Sequence, residues 1–261
     1  MSERFLAGRH AVVTGGTRGI GAAIAEELAR LGADLTVMGR DSPTLEERAG
    51  SIGAAHGTRV AAERCDVTDA RDITRAFTAA RKRFGDPYVL VNNAGQAHGA
   101  RLMDTPVATW ERLMAVNATA HFLCIREVLP AMVGARAGRI INIVSTAGLK
   151  GYSRVSAYCA SKHASIGLTR ALAMEVVKLG ITVNAVCPGY TETDMAQLAV
   201  ETLVAGRGVS EEEARTMVTG VLPRGSLITP AEVANAVAWL CSPGATAITG
   251  QSVVVASGEV M

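Results

Sequence analysis

Apolar positions along the chain follow two alternating rhythms. A continuous apolar run over 10–14 leads into a glycine-rich turn and then into a stretch over 20–31 whose apolar residues return at helical spacing, closed by Gly32. Short continuous apolar runs suit buried strands, and a period of about 3.6 suits an amphipathic helix, so this segment predicts strand, turn, helix. The cycle repeats with strands over 34–38, 59–65 and 88–91 and helices over 42–55 and 69–84. The second half predicts a long helix after Thr105-Pro106, a strand over 139–144, a helix over about 156–179, a strand over 181–186 and a last strand over 252–255. Thr229-Pro230-Ala231-Glu232 opens one more helix, with the spacing of a capping box and proline at the first helical position. Strands alternating with helices predict an α/β fold, a doubly wound parallel sheet of about seven strands with helices on both faces.

No linker, repeat or low-complexity segment divides the sequence, so 1–261 is expected to be one domain. The interval 189–228 breaks the rhythm and has a helical start at Ser210-Glu211-Glu212-Glu213. An irregular interval of that length in a compact domain reads as a lid or binding loop, here over about 190–228. Its apolar residues Met195, Leu198, Val200, Leu203, Val204, Met217, Val218, Val221 and Leu222 could cover an apolar ligand. They could equally pack on the protein's own core or a neighbouring subunit.

Composition narrows the picture. Apolar residues make up 49% of the chain and aromatics 4%, so the core must be built of Ala, Val, Ile and Leu in thin layers, as in helices on a parallel sheet. A net charge of +2 arises from interspersed residues with no basic block, which speaks against a nucleic-acid partner. Cys65, Cys124, Cys159, Cys187 and Cys241 are scattered without metal-ligand spacing, and no metal site is expected. The N-terminus has no apolar signal core and no stretch reaches the roughly 18 apolar residues of a bilayer span, so a soluble cytoplasmic protein with no membrane partner is expected.

Thr14-Gly15-Gly16-Thr17-Arg18-Gly19-Ile20-Gly21 joins the first strand to the first helix, where glycines let a pyrophosphate approach the backbone and the helix N-terminus supplies N–H donors. Gly15, Thr17, Arg18, Gly19, Ile20 and Gly21 are the candidate contacts, and the context makes the sheet Rossmann-like. The second strand ends Met38-Gly39-Arg40-Asp41, with glycine where an acid would bind an NAD ribose. Arg40 and Arg18 could instead pair a 2′-phosphate, which favours NADP(H) over NAD(H); the alternative leaves both arginines solvated and gives the ribose to Asp41.

Ser145 follows the fifth strand, at the carboxyl end where open α/β sheets place ligands. Tyr158 and Lys162 lie one helical turn apart on one face. A phenol with a pKa near 10 is a poor proton donor at neutral pH unless a neighbouring positive charge stabilises the phenolate, after which it can serve a carbonyl oxygen as acid or base.

These residues resemble the short, single-domain branch of the short-chain dehydrogenase/reductase family. The resemblance covers essentially the whole chain and rests on the Thr14 to Gly21 turn, Asp66-Val67, Asn92-Asn93-Ala94-Gly95, Asn117, Ser145, Tyr158-x-x-x-Lys162 and Pro188-Gly189. It implies that Tyr158 gives a proton to a carbonyl oxygen while nicotinamide delivers hydride to carbon, and that Ser145 hydrogen-bonds the same oxygen. Lys162 would bind the nicotinamide ribose and depress the Tyr158 pKa, and Asn117 would hold a water connecting Lys162 to solvent. Asp66 and Val67 would contact adenine, Asn92, Ala94, Gly95, Pro188, Gly189 and Thr191 would line the cofactor cleft, and Thr193 would hold the carboxamide. Within the family the pattern is similar to 3-oxoacyl thioester reductases and polyketide ketoreductases. The implied substrate is a 3-oxoacyl thioester of coenzyme A or acyl carrier protein, with an unconjugated ketone or a polyketide as alternatives. Carrier docking would use basic residues on two long helices; Arg136 occupies one position but Met174 the other, which weakens the carrier reading. A homotetramer is also implied, with the helices over 118–132 and 156–179 forming one interface.

Asn117 could cap or bend its helix, Ser145 could satisfy loop backbone, and Lys162 could be a surface charge. A silent NADP sensor would be expected to have a broken Ser/Tyr/Lys set, and an epimerase of the extended branch would need a longer C-terminal region and a different glycine spacing. Cys159 reads as a small buried residue, with only His163 at helical spacing to activate it.

Overall fold

The alternation of apolar runs becomes one parallel sheet. The computed structural model describes residues 4–193, 197, 200, 201, 204, 206, 208–220 and 222–261. Its strands are β1 (His10–Thr14), β2 (Asp34–Gly39), β3 (Val60–Arg64), β4 (Val89–Asn92), β5 (Gly138–Ile143), β6 (Ile181–Pro188) and β7 (Ser252–Val255), in the order β3-β2-β1-β4-β5-β6-β7. All six pairings are parallel. Strands β1, β4, β5 and β6 are buried throughout because helices cover both faces, which is why they read as continuous apolar runs.

Side chains alternate between the two faces. Ala11, Val13, Leu35, Val37, Val89 and Val91 pack with α1 (Gly19–Arg30), α2 (Ser42–His56) and α8 (Pro230–Cys241). Val12, Met38, Leu90, Ile140 and Val183 pack with α3 (Ala70–Phe84), α5 (Ala120–Ala135) and α6 (Ser156–Val176). Two shorter helices among the described residues are α4 (Val107–Met114) and α7 (Glu211–Thr219). Both helical starts read from capping boxes are formed, Ser210 with Glu213 at α7 and Thr229 with Glu232 at α8.

Two elements differ from expectation. The long helix after Pro106 is α4, a π-helical turn over Ala115–Thr119, and α5, so the ladder widens in mid-helix. Strand β6 runs two residues further than read, to Pro188, because Cys187 and Pro188 pair with Val254 and Val255 on β7. The end of a strand is set by its neighbour, which local pattern does not contain.

Candidate active site

Strand order reverses between β1 and β4, and the loops leaving the carboxyl ends of these strands and of β5 and β6 enclose a crevice. The glycine turn forms one wall. Gly15 has φ +65°, and a Cβ there would meet Ala94 Cα at 3.0 Å. A Cβ at Gly21 would lie 2.2 Å from the Gly15 carbonyl oxygen, so neither position admits a side chain. Asn93 ties the turn to the loop after β4: its Nδ2 donates to Thr14 O and Gly15 O, both at 3.0 Å, while Asn93 N and Ala94 N donate to Thr14 Oγ1. Arg18 is the N-cap of α1, with no side-chain cap and no acidic residue in the first turn. The first N–H groups, with the positive end of the helix dipole, face outward through Thr17, Gly19 and Ile20, and a dinucleotide pyrophosphate fits this donor set.

At the end of β2, Gly39 pairs with Arg64 on β3, and Arg40 is exposed close enough to Asp66 to help hold that carboxyl low. The larger cause for Asp66 is its bonds from Thr68, backbone N–H at 2.9 Å and hydroxyl at 2.7 Å. Val67 beside it is buried. Asp41, the alternative ribose ligand, sits at the N-cap of α2 and accepts from Thr44 Oγ1 at 2.6 Å. Arg48, which the sequence reading did not single out, reaches from α2 to donate to Thr17 O at 3.3 Å and adds a guanidinium beside the turn. Its signal was its place one face along α2 from the end of β2.

The three side chains expected to handle the proton lie together at the end of β5. Ser145 has extended backbone, its Oγ accepts from Ala147 N at 3.1 Å, and its hydroxyl lies near enough to the Tyr158 phenol to favour the phenolate. Lys162 is 4% exposed, its Nζ donates to Ile143 O at 3.0 Å and lies 5.8 Å from the Tyr158 ring centroid. Burial lowers the Lys162 pKa to about 8. Burial also raises the Tyr158 pKa, and the nearby Ser145 hydroxyl only partly offsets it. The depressed phenol expected from Lys162 is therefore absent from the protein by itself, because desolvation outweighs every other influence on the ring.

Asn117 is fully buried in the π-helical turn. Its Nδ2 donates to Gln96 O at 2.8 Å and Ser161 Oγ at 3.0 Å, and its Oδ1 accepts from Gln96 N at 2.9 Å. Asn117 therefore lies at the helix distortion and ties that helix to the loop at Gln96 and to α6. A Cβ at Gly95 would come within 3.1 Å of Asn117 Oδ1 and 3.5 Å of Lys162 Nζ, so glycine keeps open the space between them.

Beneath this centre runs a buried polar chain that the sequence reading missed. Asn92 Nδ2 donates to Asn142 Oδ1 at 2.9 Å, Asn142 Nδ2 to Thr169 Oγ1 at 2.9 Å, and Thr169 Oγ1 to Ser165 O at 2.8 Å. Ser165 Oγ in turn meets His121 Nδ1 at 3.1 Å. The signal was available: Ser161, Ser165 and Thr169 recur every fourth residue, as do Asn117 and His121. Cys159 stays apart from this chemistry, since His163 Nδ1 bonds its backbone carbonyl at 2.9 Å.

After β6, Thr191 Oγ1 donates to Gly189 O at 3.0 Å and Thr193 Oγ1 to Thr191 O at 3.2 Å. The Thr193 methyl lies 3.2 Å from where a Cβ on Gly19 would stand, so this loop arches onto the glycine turn. Thr191 bridges Ile228, which brings the two ends of the interval together. Within it Val200 and Leu222 are buried and Met217 is exposed. The expected lid residues Met195, Leu198, Leu203 and Val221 lie outside the described residues.

The sequence profile of the short chain dehydrogenase family matches residues 9–203. The chain is 41% identical over 250 residues to the protein assigned as ketoacyl reductase 1 of the granaticin polyketide synthase from Streptomyces violaceoruber, covering 95% of this chain and 92% of that protein. It is 37% identical over 247 residues to a D-beta-hydroxybutyrate dehydrogenase of Cupriavidus necator, covering 94% and 95%. Among solved structures it matches a tryptophan variant of the actinorhodin polyketide ketoreductase with NADPH, at TM-score 0.93 and 38% identity over 96% of this chain and 97% of that one.

Proposed function

This chain belongs to the short-chain dehydrogenase family, and from that we propose that it is an NADPH-dependent reductase turning the β-keto group of an acyl thioester into a secondary alcohol. The observation that carries the reading is the convergence of Ser145, Tyr158 and Lys162 beside the glycine cradle. Gly15, Gly19, Ile20 and Gly21 would hold the pyrophosphate, and Arg18, Arg40 and Arg48 the 2′-phosphate. Asp66 and Val67 would hold the adenine, and Ala94, Gly95, Pro188, Gly189, Thr191 and Thr193 would line the nicotinamide end. NADPH accompanies the actinorhodin ketoreductase, and Gly39 with Arg40 supports the same choice here.

When bound, the nicotinamide supplies the hydride. The remaining chemistry belongs to this chain. Ser145 donates a hydrogen bond to the carbonyl oxygen and orients it, and Tyr158 donates its phenolic proton to that oxygen. A phenol kept protonated by burial is in the state reduction requires. Lys162 holds the nicotinamide ribose and replaces the Tyr158 proton, resupplied through a water on Asn117.

For the substrate, one relative is named for a ketoacyl group and another for a β-hydroxy acid, and the two together support an oxygen on the β-carbon of an acyl chain. Met174, 76% exposed, sets an apolar side chain where carrier docking would use a cation, which favours a coenzyme A thioester over a carrier protein and keeps a free ketone as the second reading. We also place the protein in the cytoplasm as a homotetramer. The exposed Phe122 and Val133 on α5 and Val177 at the α6 end supply apolar surface for that assembly.

The test titrates NADPH and NADH separately by fluorescence and follows oxidation of NADPH with an acetoacetyl thioester for wild type and Tyr158→Phe. NADPH is expected to bind more tightly, and turnover to fall about 10²- to 10⁴-fold in the variant with binding retained. Absence of thioester turnover removes that substrate, and tighter NADH binding overturns the Arg40 assignment.

A further inference from the structure

Ser165 and His121 lie directly behind Asn117, and neither is used by the chemistry above. Ser165 is fully buried on α6 and His121 is 1% exposed on α5. The Ser165 hydroxyl has one proton and two acceptors in reach, the Asn117 main-chain carbonyl at 2.6 Å and His121 Nδ1 at 3.1 Å. It can serve only one at a time.

The other ring nitrogen completes the argument. His121 Nε2 is buried and makes no hydrogen bond. The Ala94 carbonyl, on the loop that lines the cofactor cleft, is close enough to favour a proton on the ring yet outside hydrogen-bond geometry. With the heavy atoms fixed, two hydrogen arrangements are self-consistent. In one, the imidazole carries its proton on Nδ1 and donates to Ser165 Oγ, while Ser165 donates to Asn117 O. In the other, the proton is on Nε2 and directed at Ala94 O, Ser165 donates to Nδ1, and Asn117 O is released. Interconversion moves two hydrogens and no side chain.

We propose that Ser165 and His121 form a hydrogen-bond toggle that sets how strongly the Asn117 main-chain carbonyl accepts a bond from the water serving Lys162. The inference rests on the reductase reading, in which that water resupplies the proton. Both are positioning residues, since they touch neither carbonyl substrate nor nicotinamide and act through Asn117. The π-helical turn belongs to the same device: a widened ladder leaves carbonyls such as that of Asn117 open to side-chain partners. The Lys162 charge lies near enough to His121 to oppose a doubly protonated ring, so the toggle runs between neutral tautomers.

Two measurements test it. Nitrogen-15 spectra of the histidine rings in the cofactor-free protein, with His121 identified by its loss in His121→Phe, report the tautomer without any turnover. Wild type is expected to populate both the Nδ1–H and the Nε2–H form, and Ser165→Ala, which removes the acceptor of the first, to shift the ring to Nε2–H alone; the same tautomer populations in both overturn the toggle. In steady-state reduction, His121→Phe leaves the Ser165 proton fixed on Asn117 O and is expected to lower kcat several-fold with NADPH affinity kept. Adding Ser165→Ala to that variant frees the carbonyl and is expected to recover kcat. A double variant slower than the single, as two purely structural losses would give, overturns the proposal. If wild type reduces no ketone at all, the reductase reading fails and the tautomer spectra alone decide the toggle.

Discussion

Lys162 shows how burial converts an ordinary side chain into a pH-dependent one. Its ammonium has lost its water, and the pKa falls to about 8 because the charged form is disfavoured. The proton that reduction consumes is therefore present below that value and lost above it. We expect kcat/KM for ketone reduction, which reports the free enzyme, to be level on the acid side and to fall as pH rises through about 8. A rate profile flat to pH 10 would exclude Lys162 as the source. Tyr158 and Lys162 were legible as a pair because four residues along a helix always face the same way. The direction of the Tyr158 shift was not, since it depends on how much protein closes over the ring.

At the scale of elements, caps and turns were the most legible features because they are local. The Thr229 hydroxyl accepts from Glu232 N, and the Glu232 carboxylate accepts from Thr229 N at 2.7 Å. Removing the first of these bonds with Thr229→Ala is expected to cost about 1 kcal/mol, a fall of roughly 2–4 °C in Tm. An unchanged Tm in a thermal melt would show that Pro230 and the Arg224–Glu232 ion pair hold the start of α8 by themselves. The π-helical turn at Ala115–Thr119 left no comparable mark. Its sequence is an ordinary helical one, and the widening follows from side-chain bonds to Gln96, Ser161 and Ser165, which come from other elements.

For the whole molecule, buried histidines couple folding to acid. Burial lowers His10, which bonds Gly85 O and Thr36 Oγ1, and lowers His121 to about 3. A folded pKa below the unfolded value means that the unfolded chain binds more protons in between, so stability is intact above about 6.5 and is lost as pH falls toward 3. Each such group removes on the order of 1 kcal/mol per pH unit in its window. The urea midpoint is expected to be lower at pH 5 than at pH 7, with a smaller difference in His121→Phe; equal midpoints would refute the coupling. Light scattering is expected to return four chain masses, and Phe122→Glu, which places a charge on the apolar surface of α5, to reduce that mass. A monomer in wild type removes the tetramer.

The sequence by itself determined the alternation of strands and helices, the parallel sheet, the glycine turn and the pairing of Tyr158 with Lys162 on one helix face, because each depends on spacing along one chain: a period, a cap, a helical turn. Tertiary structure alone decided where β6 ends, that Arg48 reaches Thr17, that burial raises Tyr158 while lowering Lys162, and that Asn92, Asn142, Thr169, Ser165 and His121 join into one polar chain. These depend on which residues distant in sequence come within a few ångströms and on how much water they exclude. Spacing along the chain carries neither quantity.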